Sequence, residues 1–202
     1  MSDHPCAPWK RAGRFAKVTE VRERLVTAAY DLFARNGVQA VGVDAIIERS
    51  GVARQTLYRH FTSKQDLLFA DYDEGLHWFR RALLDRPASE SIDEAVSQAI
   101  FAFPYDYSAV TDIAAMRAQS LDDARITDHI RRVELDFAQV VEERLRRTDE
   151  IAGTADRDLL IVVRARTTAA AVFAAMEVWM HSDHPTLDQL ARVCRLAVQT
   201  IR

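Results

Sequence analysis

The sequence predicts an all-α protein, with an N-terminal three-helix helix-turn-helix domain followed by a C-terminal helical bundle, about nine helices in total. Three observations carry this. Only 6 glycines and 5 prolines interrupt 202 residues, while Ala, Leu, Arg and the acids, mostly good helix formers, dominate. Apolar residues recur at intervals of three and four, and no alternating β-branched run is present. Hydrophobic residues make up 49% of the chain, enough for one sizeable core or for a small and a larger one.

Composition also narrows the function. The two cysteines, Cys6 and Cys194, stand at opposite ends without a CxxC pair, which points to a reduced, cytoplasmic setting. The first 18 residues hold charges and prolines but no apolar run, so they read as a disordered basic arm and not a signal peptide. Lys10, Arg11, Arg14 and Lys17 in that arm are candidates for minor-groove contact. Leu159 to Met180 is apolar enough to resemble a membrane span. Arg164, Arg166 and Glu177 interrupt it, and a buried helix of a bundle or dimer is the reading that needs no charge in lipid. The net charge of −3 divides unevenly. Residues 1–64 carry 11 basic and 6 acidic side chains (+5), and residues 65–202 carry 16 and 24 (−8). A basic first third suits an anionic partner such as DNA.

The elements follow in order. Thr19 is a candidate N-cap, with Glu20 and Glu23 in the first turn, where the helix dipole favours acids. Val21, Leu25, Ala28, Ala29, Leu32 and Phe33 form its apolar stripe, and Asn36-Gly37 closes it. Two short helices follow, Asp44 to Ser50 with Ile46 and Ile47 inward, and Arg54 to His60 with Leu57 inward. Helices this short are stable only when packed on a neighbour. Ser63-Lys64-Gln65-Asp66 reads as a capping-box variant opening a long helix with the stripe Leu68, Tyr72, Leu76, Phe79 and Leu83. Further helices are expected over Ser91–Phe103, Ser108–Ser120, Thr127–Arg147 after a polar turn at Asp122-Asp123, and Asp156–His181. The box Thr186-x-x-Gln189 opens the last, with the stripe Leu187, Leu190, Ala191, Cys194, Ala197, Val198 and Ile201.

Residues 46–61 carry the functional signal. A helix-turn-helix needs a short support helix, a tight turn usually containing glycine, and a second helix with polar tips. Here Ile47, Val52, Leu57 and Phe61 can face inward, leaving Arg54, Gln55, Thr56, Tyr58, Arg59 and His60 outward. Arg and Gln match guanine and adenine edges, while Tyr, Thr, His and Lys64 suit phosphates. An amphipathic helix with a merely solvated face would show part of the same pattern.

The motifs Ala29-x-x-Leu32-Phe33-x-x-x-Gly37, Val43-x-x-Ile46, Ser50-Gly51-Val52 and Thr56-Leu57-Tyr58-x-x-Phe61-x-Ser63-Lys64-x-x-Leu67-Leu68 together resemble the DNA-binding domain of the TetR family of transcriptional regulators. The resemblance spans residues 21–68 and stops near Asp71. It implies that the helix from Arg54 is the recognition helix, with Arg54, Gln55 and Thr56 toward bases. Tyr58, His60 and Lys64 are then set toward phosphates, and Arg59 toward either. It also implies a dimer formed by the last two helices, on which Ala174 and Val198 are candidate interface positions, and a small-molecule effector that releases palindromic operator DNA. Two positions depart from the family pattern. Val41-Gly42 and Ala53 stand where a Ser or Thr often caps the support and recognition helices, a cap typically worth ~1 kcal/mol.

The domains expected are therefore the arm 1–18, the DNA-binding domain 19–66, and an effector-binding and dimerisation domain 67–202. Candidate pocket residues are Trp78, Phe101, Phe103, Tyr105, Met116, Phe137, Phe173, Met176 and Trp179, although aromatic residues at helical spacing are more often core. Arg164 and Arg166 are expected to pair with carboxylates or to receive an anionic ligand. The trio His181, Asp183, His184 fits turn chemistry better than a metal site. No nucleophile elbow, P-loop, HExxH or paired cysteine ligands occurs, so the sequence points to no enzyme, metal or cofactor. The competing reading is a DNA-binding regulator without a small-molecule effector.

Overall fold

A computed structural model of the chain describes residues 17–101, 107–148, 150, 151, 153, 155–180, 182 and 186–201. The described residues form no strand. They form α1 (Lys17–Asn36), α2 (Val43–Ser50), α3 (Arg54–His60), a 3-10 helix (Lys64–Phe69), α4 (Ala70–Leu84), α5 (Ile92–Phe101), α6 (Tyr107–Ser120), α7 (Asp123–Arg147), α8 (Arg157–Met180) and α9 (Leu187–Thr200). Three boundaries differ from the periodicity. Thr19 lies inside α1 instead of capping it. The helix α7 starts at Asp123, four residues before the expected Thr127, and Asp122 caps it, its Oδ1 accepting from Arg125 N at 2.8 Å, so the polar pair belongs to the helix start. The long helix expected from Ser63 is divided into the 3-10 helix and α4. The capping box is formed, with Ser63 N donating to Asp66 Oδ2 at 2.9 Å. The carbonyl of Leu68, however, accepts from Arg117 Nε at 2.9 Å.

The chain divides into two compact units, one containing residues up to Asp71 together with 104–127, the other 72–103 and 128–202. The core of the first gathers Leu25, Ala29, Tyr30 and Phe33 of α1, Ile46 of α2, Leu57 of α3, and Phe61, Leu67 and Leu68, with Ile113 of α6 among them. Gly37 closes α1 in the left-handed conformation at φ 77°, its N–H donating to Phe33 O at 2.9 Å. Inclusion of α6 here was not visible in periodicity, because α6 shows no strong apolar side. What holds it is Arg117, buried against Leu68 O, the Asp71 carboxylate and the face of Phe69.

The second unit packs α4, α5, α7, α8 and α9 around Leu83, Val96, Phe137, Val141, Leu145, Ile161, Val172, Cys194 and Val198. Phe137 stacks on Phe79 at 3.8 Å and meets Phe173 edge-on at 5.8 Å. Several polar groups within it are satisfied locally, whereas the hydroxyls of Thr148 and Thr168 and the Trp78 indole are enclosed without a hydrogen-bond partner among the described residues. Arg144 donates to the carbonyls of Arg86 and Pro87 after α4. Glu150 accepts from Ile92 N at the start of α5. Arg164 pairs with Asp93 and donates to Ile201 O at 2.9 Å, which meets the expectation of a carboxylate partner, whereas Arg166 is exposed. Thr186 accepts from Gln189 N at 3.2 Å and caps α9. Burial pushes the Cys194 thiol up to about 12, leaving it an inert core group.

The helix α8 is the one among the described residues long and apolar enough to cross a membrane. It buries Ile161, Ala165, Thr168, Ala169, Val172, Ala175 and Trp179 inside its own unit. Leu159, Leu160, Val163, Val178 and Met180 remain exposed, as do Ala170 and Ala174 between them. Val198 of α9 is 1% exposed. It is therefore a core residue of this unit, which removes it from the expected interface.

Candidate nucleic-acid interface

The support and turn are built from α1 outward. Ile46 and Leu57, both fully buried, pin α2 and α3 to α1, and burial of each such side chain contributes about 2 kcal/mol. Arg24 of α1 donates Nη2 and Nε to Ser50 O at 2.6 and 3.2 Å, satisfying a carbonyl at the end of α2. Gly51 then turns the chain at φ 63°, with its N–H on Ile47 O at 2.9 Å. A Cβ there would stand 3.0 Å from the Arg24 guanidinium, so both backbone and contact call for glycine. Arg49 pairs with Asp31 at 3.0 Å, and Arg22 lies 5.2 Å over the Phe61 ring. Arginines of α1 and α2 thus clasp both ends of the motif. Neither α2 nor α3 has a side-chain cap at Gly42 or Ala53, as the missing Ser and Thr imply.

On this support α3 turns Arg54, Gln55, Tyr58 and Arg59 to solvent, with Thr56 and His60 half-buried. An exposed tyrosine (Tyr58, 47%) on a helix whose opposite side is fully buried has no packing role to account for it. Arg54 is met by the Asp44 carboxylate of α2. His60 Nε2 is buried with no hydrogen-bond partner. Burial, with the positive charges of Arg59 and Arg22, holds His60 below its ordinary value.

Lys64 is placed differently from the other candidates. Its Nζ donates to the carbonyls of Val38, Val41 and Gln39 at 2.9, 2.7 and 3.2 Å, using all three ammonium donors. In this structure it closes the α1–α2 connection. Asp44, Arg24 and Lys64 in this bracing role went unread in the sequence, since each partner lies 10–26 residues away and helical periodicity relates only neighbours within a few turns.

The pocket candidates are dispersed. Phe137 is buried in the aromatic stack, with Phe173 and Met176 half-buried against the same core. Trp78 is half-buried, and its Nε1 is enclosed without a partner. Trp179 is buried and donates Nε1 to Thr186 O at 2.8 Å. Met116 lies in the other unit, against the core of the N-terminal helices. The side chain of Phe101, and Phe103, Tyr105, His181, Asp183, His184, Lys10, Arg11, Arg14 and the side chain of Lys17, lie outside the described residues.

The model for bacterial regulatory proteins of the tetR family matches residues 25–70. The HTH-type transcriptional activator FasR of Mycolicibacterium smegmatis is 38% identical over 66 residues, covering 33% of this chain and 30% of that protein. The HTH-type transcriptional regulator TcmR of Streptomyces glaucescens is 33% identical over 86 residues, covering 43% and 38%. The matched part of the chain spans only about a third to a half of the length of such curated relatives. Across nearly the whole chain, the structure of a SmeT–triclosan complex superposes with a TM-score of 0.50 at 20% identity, covering 90% of this chain and 89% of that one. At that identity the likeness is one of fold.

Proposed function

We propose that this chain, whose residues 25–70 match the model for bacterial regulatory proteins of the tetR family, is a member of that family and a cytoplasmic transcriptional repressor that binds palindromic operator DNA as a homodimer and leaves it when a small molecule binds. The observation that carries the DNA-binding half is the division of α3: Leu57 is fully buried, while Arg54, Gln55, Tyr58 and Arg59 stand exposed on one short, braced helix. Arg54 and Gln55, with Thr56, read base edges; Tyr58, Arg59 and His60 contact phosphate. Lys64 braces the connection between α1 and α2 on which this motif is built. DNA binding is assigned to residues 19–66, whose core also takes in Leu67, Leu68 and Ile113 of α6, and effector binding and dimerisation to the remainder of 67–202.

The exposed apolar stripe of α8, with Leu196 of α9 exposed as well, supports a two-fold dimer through these helices. A stripe of that extent on a soluble chain marks an interaction surface. A dimer presents two copies of α3 to half-sites about one helical turn of DNA apart. The effector half rests on Trp78, whose enclosed Nε1 has no hydrogen-bond partner among the described residues. Footprinting of the full chain on its own upstream region tests the reading. Arg54→Ala and Gln55→Ala should each relax preference at particular base pairs by ~1–3 kcal/mol. Protection that is unchanged in sequence preference after both substitutions would show that α3 is not the reading helix.

A further inference from the structure

We infer that Asp44 is a specificity-determining residue of the DNA interface, aiming the Arg54 guanidinium at a guanine edge and weakening binding wherever that guanine is missing. This rests on the reading of α3 as the recognition helix. Asp44 sits in the first turn of α2, and its carboxylate pairs with Nη2 of Arg54, the first residue of α3. The two stand 10 residues apart across the Gly51 turn, so the pair is set by the helix-turn-helix geometry and not by spacing within one helix. Their side chains are 85% and 53% exposed. An exposed pair of this kind adds little to folding stability, and neither side chain serves the core.

Its effect falls on the guanidinium itself. An arginine side chain is otherwise rich in rotamers, and bidentate recognition of guanine needs its plane fixed. Asp44 occupies one Nη2 donor and leaves the remaining donors of the fork available. The carboxylate also alters the charge that DNA meets. Of the cations near this face, Arg49 is paired with Asp31 and Lys64 is spent on three carbonyls. Arg59 remains exposed on α3, so compensating Arg54 removes part of the attraction to phosphates, which acts on every sequence alike. A correctly placed guanine recovers the contact through its N7 and O6, whereas other bases do not. Specific binding is spared and non-specific binding is reduced, which is how a repulsive group sharpens discrimination.

The test uses the full chain and a preferred duplex selected from randomised DNA, with each single-base substitution of that duplex and a random-sequence competitor. Arg54→Ala identifies the base pair at which preference is lost. Asp44→Ala and Asp44→Asn should relax preference at that same pair by roughly three- to tenfold, part of the roughly 5- to 150-fold that a whole bidentate contact supplies. Both should tighten binding to the random competitor. In the Arg54→Ala background, Asp44→Ala should change nothing further at that pair. Unaltered preference in both Asp44 variants, while Arg54→Ala relaxes it, overturns the inference and leaves α3 as the reading helix. If Arg54→Ala itself alters no preference, the assignment of Arg54 and the role of Asp44 fall together.

Discussion

Arg117 of α6 places Nη2 2.6 Å from both carboxylate oxygens of Asp71, at the start of α4. Its Nε meanwhile donates to the Leu68 carbonyl, and its guanidinium carbon lies 5.2 Å over the Phe69 ring. The arginine is 4% exposed. Breaking a buried pair by removing one partner costs up to about 3–5 kcal/mol. Arg117→Ala should therefore lower the urea midpoint more than any single substitution on the exposed side of α3. An unchanged midpoint would mean that water replaces the guanidinium without penalty.

The same segment reaches further along the chain. Arg125 of α7 donates to Ser63 Oγ at 3.0 Å and Asp66 Oδ1 at 2.9 Å, the two residues of the capping box that follows α3. Two arginines far off in sequence thus hold the stretch immediately after α3. This explains the limits of the sequence reading. The α2–turn–α3 unit was legible because Ile46, Gly51 and Leu57 lie within a dozen residues and obey local rules of periodicity and turn conformation. The placement of α6 was not, because one buried arginine carries it and its partners lie 46–49 residues away. The division at Lys64–Phe69 was hidden for the same reason, since apolar spacing cannot show which carbonyl a distant side chain occupies.

Lys64 offers a sharp contrast between bracing and phosphate contact. Removing its ammonium leaves the carbonyls of Val38, Gln39 and Val41 to water, and a part-buried charged hydrogen-bond set is worth about 1–3 kcal/mol. Lys64→Ala should reduce unfolding free energy by about 1–2 kcal/mol, below the full range because the site is partly open. A lysine that only touches phosphate would leave stability intact and flatten the salt dependence of DNA binding by about one unit.

His60 should couple both folding and DNA binding to pH. Its folded-state value is lowered from 6.5, by burial first and then by Arg59 and Arg22. The stability linked to the neutral ring is fully present above 6.5 and is lost as pH falls through the lower folded value. A phosphate contact works the other way, favouring the imidazolium and drawing a proton into the complex. Wild-type protein should thus lose stability from pH 7 to 5 while its DNA affinity rises more steeply than that of His60→Gln. Parallel affinity curves for the two proteins would remove His60 from the phosphate contacts.

The proposed dimer surface on α8 and α9 can be told from the core. Val178 is 68% exposed and Val198 1%, and Ala174 lies on the same exposed side of α8 as Val178. Ala174→Glu and Val178→Glu should yield folded monomers in sedimentation velocity, with operator affinity sharply reduced. Val198→Glu should instead unfold the C-terminal unit, because it buries an unpaired charge. Dimers that persist in both exposed-face variants would place the interface elsewhere.

Trp78 distinguishes an effector site from ordinary core. Its indole Nε1 is enclosed and unpartnered, and an orphaned donor of this kind costs about 1–3 kcal/mol. Trp78→Phe deletes the donor while keeping an aromatic ring, so melting temperature should hold or rise. If an effector accepts that hydrogen bond, the same variant should need more compound to release DNA. The relevant compounds carry a hydrogen-bond acceptor that can meet the indole donor. A ligand at a hundred times its dissociation constant stabilises the wild-type protein by ~2.7 kcal/mol, readily seen as a thermal shift. A ligand preference of ~1–3 kcal/mol for the DNA-free conformation weakens operator binding by about 5- to 150-fold. Trp78→Ala that loses stability and DNA binding together would make the residue core. A broad acceptor-bearing library that neither shifts melting nor releases DNA would leave a regulator without a small-molecule effector, with the α3 interface unaffected.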